Sequence, residues 1–158
     1  MTESEFCDVE QRCRQLGLIC PGAVAILPRN FEDAATAADL LHESSTLDVR
    51  KILRDAGIDE QPLELDANSA TYAQENDATW VGPTLFFAAG ALSENPQLLS
   101  VTYDVISNYL TDFFKGVVGN RTVRIQTVLE KTKTKKYAEF TYEGDPDGLV
   151  LRQSRILG

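Results

Sequence analysis

Residues 80–118 differ in character from the rest of the chain. These 39 residues hold seven of the thirteen aromatic side chains and only four charged ones. A stretch this apolar must be buried against the fold, a partner or a membrane. Asp104, Asn108 and Asp112 interrupt its longer apolar run, which therefore falls short of the ~20 apolar residues that cross a bilayer. We expect burial in protein and no membrane association.

Residues 97–115 are predicted to form a helix about 28 Å long with two apolar rows. One row is Leu98, Val101, Val105, Tyr109 and Phe113, and the other is Leu99, Tyr103, Ile106, Leu110 and Phe114. A helix that covers one side of a core needs a single apolar stripe. The second apolar row therefore indicates that the helix is central in the fold or that one row contacts another molecule. We expect Val105 and Ile106 to be largely buried on opposite rows.

The candidate interface is Leu99, Tyr103, Ile106, Leu110 and Phe114. Self-association is the favoured expectation, because two-fold homodimers are the commonest way to cover such a patch.

The remaining periodicity predicts an α+β fold. Helices are expected at residues 3–16, 31–43, 49–56 and 84–92, the last forming a buried helical hairpin with 97–115. Short strands are expected at 23–27 and 63–65, and period-two alternation predicts a C-terminal antiparallel β-hairpin at 122–142. The chain is taken as one domain, 1–158, divisible into an acidic helical part (1–79) and an apolar part with the hairpin (80–158). It ends on apolar residues without a clear cap, which raises the question of whether it is a fragment of a longer chain and leaves that question open.

Charge is distributed unevenly along the chain. The net charge is −9, with sixteen acidic and six basic residues in 1–80 but five and eight in 121–158. A general nucleic-acid binder needs cationic side chains to displace counterions, so we expect no nucleic-acid partner. The basic cluster at the hairpin tip is a candidate contact for an acidic partner. It comprises Lys131, Lys133, Lys135 and Lys136.

The three cysteines indicate a reducing compartment. Cys7, Cys13 and Cys20 are an odd number and lack zinc-site spacing. The acidic N-terminus has no apolar run typical of a signal peptide. We therefore expect a cytosolic protein with free thiols, in which Cys13 and Cys20 are small core residues.

Residues capable of chemistry are few. His42 is the only imidazole, and its expected place near a helix end predicts a structural role. Glu64 and Asp66 share a face if the strand there continues, as a hydrolytic or metal site requires. No catalytic, cofactor-binding or metal-ligating residue is assigned, and no cofactor is expected. The sequence favours a small interaction protein (a regulator, adaptor or toxin-neutralising partner) without catalytic activity; the alternative is a hydrolase or metal-dependent enzyme using Glu64 and Asp66 or His42.

Overall fold

A computed structural model describes residues 2–64, 70–73, 79–117, 119, 121–131 and 136–149. The strands are β1 (Thr2–Phe6), β2 (Val24–Leu27), β3 (Leu41–His42), β4 (Thr71–Tyr72), β5 (Trp80–Val81), β6 (Thr84–Phe87), β7 (Val123–Lys131) and β8 (Lys136–Gly144). The α-helices are α1 (Val9–Leu16), α2 (Thr46–Asp55), α3 (Ala89–Glu94) and α4 (Leu98–Phe113). A six-stranded mixed sheet forms the centre of the described fold, and β3 and β4 form a separate parallel pair.

The order of the central sheet is β1-β8-β7-β6-β2, with β5 also paired to β7. β7 and β8 are antiparallel, as are β8 with β1 and β6 with β2, whereas β6 runs parallel to β7. Parallel neighbours need a crossover connection, and α3 and α4 supply it between β6 and β7. The expected C-terminal hairpin is confirmed, but it is part of a larger sheet.

The predicted buried helical hairpin is wrong, because residues 84–87 form the central strand β6. This Thr-Leu-Phe-Phe run is buried at every position. A strand buried on both faces shows no alternation, so a short apolar run of this kind can be mistaken for a buried helix. The helix that follows, α3, has only six residues. Of the expected helix 84–92, residues 84–87 are therefore strand and only residues 89–92 are helical.

The expected helical N-terminal half is also wrong. Residues 2–6 form β1, an exposed edge strand paired with β8. The helix begins only after Asp8, whose side chain accepts a hydrogen bond from the Gln11 N–H, and it ends at Gly17 in the left-handed conformation (φ 70°). The N-cap at Asp8 and the glycine C-cap at Gly17 therefore limit α1 to eight residues.

No α-helix forms at residues 31–43. Asn30, which the sequence suggests as an N-cap, instead holds a loop together. Its Nδ2 donates to the Asp39 carbonyl, and its Oδ1 accepts from the Leu41 N–H, both at 2.8 Å. These contacts end the loop at β3. Of the predicted strands, 23–27 is confirmed as β2, whereas residues 63–64 form a bend and Leu65 lies outside the described residues.

The central sheet separates two cores. Ile125 and Leu129 of β7 pack with the buried side chains of α2 and α4, among them Leu53 and Leu110. Val128, which points to the other face, packs with α1 and the loop after β2. The arrangement is a sheet covered on both faces, and it replaces the expected layout of an N-terminal helical half beside a C-terminal hairpin.

Candidate functional site

The row of α4 that was assigned as the candidate interface lies inside the protein. Its five residues, Leu99, Tyr103, Ile106, Leu110 and Phe114, all belong to the core formed with the sheet. The Tyr103 hydroxyl lies 2.5 Å from Thr127 Oγ1 on β7, and burial raises the pKa of Tyr103 to about 12. This row therefore presents no free surface to a partner in the single chain.

The opposite row of α4 is the one that reaches solvent. We define the outer face as Val101, Val105, Tyr109 and Phe113. Val101 is 39% exposed and Phe113 is 51% exposed, whereas Val105 and Tyr109 are half-buried. The Tyr109 ring centroid lies 6.3 Å from that of Trp80 and 6.0 Å from that of Phe113. The outer face is therefore an aromatic and aliphatic stripe beside the core. The expected burial is confirmed for Ile106 but not for Val105.

Acidic side chains surround the outer face. Asp104 and Asp112 are exposed on α4, and residues 98–113 contain no lysine or arginine. Asp112 follows Val105 by seven residues, which places both on one side of the helix. Asp48 of α2 accepts a hydrogen bond from the Tyr109 hydroxyl at 3.3 Å. Burial and the Asp48 carboxylate raise the pKa of Tyr109 above its ordinary value.

The lysine cluster is only partly described. Lys131 and Lys136 are paired across the hairpin, and both are exposed. Lys131 Nζ lies 3.6 Å from Glu3 Oε1 on β1, an exposed ion pair of the kind that contributes little stability. Lys133 and Lys135 lie outside the described residues. The proposed contact with an acidic partner stays a prediction.

His42 and Glu64 form a pair that the sequence did not predict. His42 lies in β3, not near a helix end, and it is 2% exposed. Its Nε2 is 2.5 Å from Glu64 Oε1, and the Tyr72 ring centroid lies 5.7 Å from the imidazole. Burial acts to raise the pKa of Glu64, but the hydrogen bond and charge of His42 outweigh it, so this pKa is lowered. Asp66 lies outside the described residues.

A carboxylate beside an imidazole can orient it for proton transfer, but a catalytic base must also reach a substrate or nucleophile. His42 Nδ1 is buried and has no hydrogen-bond partner in the described part of the chain. The nearby Ser45 hydroxyl donates instead to the Val81 carbonyl at 2.6 Å. The pair therefore shows an oriented imidazole without an adjacent nucleophile among the described residues.

All three cysteines are free. Burial raises the pKa of Cys13 to about 12 and that of Cys7 to about 11, so both thiols are protonated at neutral pH. The thiolate is the nucleophile, which makes these two poor candidates for covalent catalysis. Cys13 is a core residue as expected, but Cys20 is exposed.

Within the described residues, no group of three or more histidine, cysteine, aspartate or glutamate side chains could hold a metal ion. No helix of the described part has both the length and the apolar character to span a membrane. Comparisons with protein families, curated proteins and solved structures find no match to this chain.

Proposed function

We propose that this protein is a protein-binding module that docks a partner on the outer face of α4. The observation that carries the proposal is that α4 has two apolar rows and the core covers the second only in part, with Val105 and Tyr109 half-buried against it. Val101 and Phe113 remain exposed beside the Trp80–Tyr109 ring contact. Aromatic side chains at a solvent-accessible site are enriched in protein interfaces because they contribute large apolar area.

The charge of the outer face determines which partner fits. Asp112 lies on the same side of the helix as Val105, Asp104 is exposed one residue before Val105, and α4 has no basic residue. A segment with apolar side chains flanked by lysine or arginine would bury the stripe and pair with both carboxylates. A second copy of this chain would bring the aspartates of two helices together. We therefore commit to a basic amphipathic partner segment, with the homodimer as the competing outcome.

The cellular role follows from this binding. A chain that recognises one segment serves as a regulator, an adaptor or a toxin-neutralising partner. Its three free thiols fit a reducing compartment such as the cytosol.

Selection from a displayed random peptide library tests the proposal. We expect the selected peptides to combine leucine or aromatic residues with lysine or arginine. Their affinity should fall with added NaCl, because the screening length shortens from about 10 Å at 0.1 M to about 3 Å at 1 M. Selected peptides without basic residues, or with no salt dependence, would contradict the choice of partner.

Variants locate the binding surface. The double variant Val101→Ser/Phe113→Ser should weaken binding by at least about tenfold, which corresponds to ~1.4 kcal/mol, because both side chains lose apolar contact area. Ile19→Ser is the matched control, since Ile19 is also an exposed aliphatic residue (45%) but lies outside α4. Equal affinities for the double variant and the wild type would refute docking on the outer face.

Charge variants separate the partner from a homodimer. Asp104→Asn/Asp112→Asn should weaken the binding of a basic peptide, because two attractive charge pairs are lost. The same change should strengthen a homodimer, because repulsion between like charges is removed. Light scattering at high micromolar protein gives the second measurement. If a dimer forms and is lost when Val101 and Phe113 are substituted, self-association replaces the separate partner in the proposal.

A second candidate function, a hydrolase or metal-dependent enzyme, is favoured by one observation, the His42–Glu64 contact. General acid–base groups typically contribute ~10²–10⁴-fold to turnover. If a hydrolytic activity is measured, a loss of several hundredfold in folded His42→Ala would support this candidate. A change within about tenfold would remove His42 from the mechanism.

A further inference from the structure

Two of the three free cysteines meet at α1. Cys13 is buried on this helix, and Cys20 is exposed in the loop that leads to β2. A helical side chain points towards the N-terminus of its helix and lies over the preceding turn, so the Cys13 thiol lies over Val9 and Glu10. The Cys20 thiol donates a hydrogen bond to the Glu10 carbonyl, with Sγ and oxygen 3.7 Å apart. Both thiols therefore lie at the same turn of α1.

Backbone hydrogen bonds bring the two cysteines together. α1 ends at Gly17, and the Leu18 N–H donates to the Cys13 carbonyl at 2.8 Å. This is a Schellman contact, which satisfies the helix end and turns the chain back. The Ile19 N–H then donates to the Leu63 carbonyl at 2.9 Å. The second cysteine follows directly, so a hydrogen-bonded loop holds it beside the helix.

The two thiols also act on each other. Burial is the main cause that raises the pKa of the Cys13 thiol to about 12, and the charge of Cys20 and a hydrogen bond between the two thiols act in the same direction. Cys7 has a weaker effect on the same pKa. Among the other two cysteines, Cys20 is therefore the partner of Cys13.

An oxidant from solvent reaches Cys20 first, because Cys20 is exposed and Cys13 is 0% exposed. A cavity of about 80 Å³ lies beside Cys20, and its lining includes Glu10 and Glu130. A water molecule takes about 30 Å³ of the liquid, so this cavity has room for hydrogen peroxide. A neutral oxidant is neither attracted nor repelled by these carboxylates or by Arg14, which pairs with Glu10.

We propose that Cys20 and Cys13 form a redox-modification site, which a small hydroperoxide oxidises to a reversible disulfide. The Cys20 thiolate attacks one oxygen of hydrogen peroxide: an S–O bond forms, the O–O bond breaks, and the released hydroxide takes up a proton to give water. The Cys13 sulfur then attacks the sulfenic acid on Cys20: the S–S bond forms, the S–O bond breaks, and hydroxide leaves with the Cys13 proton as water. The two thiols lose two electrons in total, and these reduce one peroxide to two waters.

The first step favours the second. Once Cys20 is a sulfenic acid it carries no thiolate charge, so one cause of the raised pKa of Cys13 is removed and the buried thiol ionises more readily. A thiol reductant reverses the disulfide by exchange, and intracellular disulfides of this kind are transient and redox-sensing. The site does not rest on the function proposed for α4.

Hydrogen peroxide treatment of the reduced full chain, followed by alkylation with iodoacetamide and tryptic mass spectrometry, tests the proposal. Trypsin cleaves after Arg12, Arg14 and Arg29, so each cysteine falls in its own peptide: residues 1–12, 13–14 and 15–29. We expect 13–14 joined to 15–29, two hydrogen atoms lighter than the separate peptides, and dithiothreitol should restore the separate peptides. The proposal is overturned if 1–12 is the linked peptide, if the link joins two copies of the chain, or if oxidation gives no link.

Loop length gives an internal control. Cys7 and Cys13 are six residues apart, and Cys13 and Cys20 are seven apart, so the entropy of closing the loop is nearly the same for both pairs. In urea, where the fold is lost, the two disulfides should form in similar amounts. The native chain should instead form the Cys13–Cys20 link in severalfold excess. The same ratio in urea and in buffer would refute the role of the fold.

Three variants separate the roles of the cysteines. Cys20→Ser should leave Cys13 reduced at the peroxide dose that links the wild type, because the buried thiol is then not reached. Cys13→Ala keeps a small apolar side chain in the core and should stop the reaction at the sulfenic acid on Cys20, which dimedone traps. Cys7→Ser is the matched control and should keep the link. Equal oxidation of Cys13 in Cys20→Ser and the wild type, or loss of the link in Cys7→Ser, would refute the assignment. The wild-type peptide map decides the pairing even if Cys13→Ala does not fold.

Discussion

The hydroxyl pair between α4 and the sheet provides a sharp test of the core. Tyr103 is 1% exposed and Thr127 is fully buried, and their oxygens lie 2.5 Å apart. Tyr103→Phe removes one partner and leaves the Thr127 hydroxyl buried without this hydrogen bond. A buried unsatisfied polar group costs about 1–3 kcal/mol. Thr127→Val keeps the shape of the side chain but leaves the Tyr103 hydroxyl buried without this hydrogen bond. It should lower the free energy of unfolding by a similar amount.

The double variant Tyr103→Phe/Thr127→Val should cost much less than the sum of the two single changes, because no polar group is then left unpaired. We expect a coupling free energy of about 1–2 kcal/mol, measured by urea denaturation of all four proteins. In a domain of this size each kcal/mol shifts Tm by about 2–4 °C, which calorimetry can confirm. Additive costs, within about 0.5 kcal/mol, would refute the contact and the placement of α4 against β7.

Three further predictions concern the same elements. Ile106→Asp should be severely destabilising in urea denaturation, whereas Val105→Asp should cost markedly less, because only Ile106 is fully buried; equal costs would contradict the orientation of α4. The native state keeps the Tyr103 proton up to about pH 12, but the unfolded chain loses it near 10.0, so stability should fall by about 2–3 kcal/mol over this pH window. Tyr103→Phe should flatten that fall, and an unchanged pH profile would contradict the burial. The folded pKa of Glu64 is lowered. The ionised Glu64 therefore stabilises the fold at pH values above its ordinary pKa, and this stabilisation is lost as the pH falls through the folded pKa. Denaturation midpoints of Glu64→Gln should therefore decline less on acidification than those of the wild type, and parallel curves would contradict the His42 pair.

Elements with a strong local period could be predicted from the sequence. α4, α2 and the β7–β8 hairpin follow from apolar spacing over eight or more residues. β6 could not be assigned, because its four residues are buried on both faces and carry no alternation. Residues 31–43 show helical spacing, but the contacts of Asn30 with Asp39 and Leu41 produce a loop instead. Tertiary contacts overrode a local pattern in that segment.

The row of α4 that the sequence analysis named as the candidate interface is the buried one, and there is a physical reason why the sequence did not show this. Its two apolar rows are similar in composition, so hydrophobicity alone does not show which row faces the sheet. A usable signal was present, since Asn108 and Asp112 lie on the side of Val105 (i+3 and i+7). The inner row is flanked instead by Thr102, whose hydroxyl donates to the Leu98 carbonyl at 2.8 Å. Polar side chains such as Asn108 and Asp112, which do not share the threonine's ability to hydrogen-bond to a carbonyl of its own helix, would have indicated the side of α4 that faces solvent.

The contacts at the candidate sites depend on residues far apart in the chain. His42 and Glu64 were each noted from the sequence, but their contact spans 22 residues and needs β3 to exist. No local motif marks such a site, because the residues that form it share no spacing.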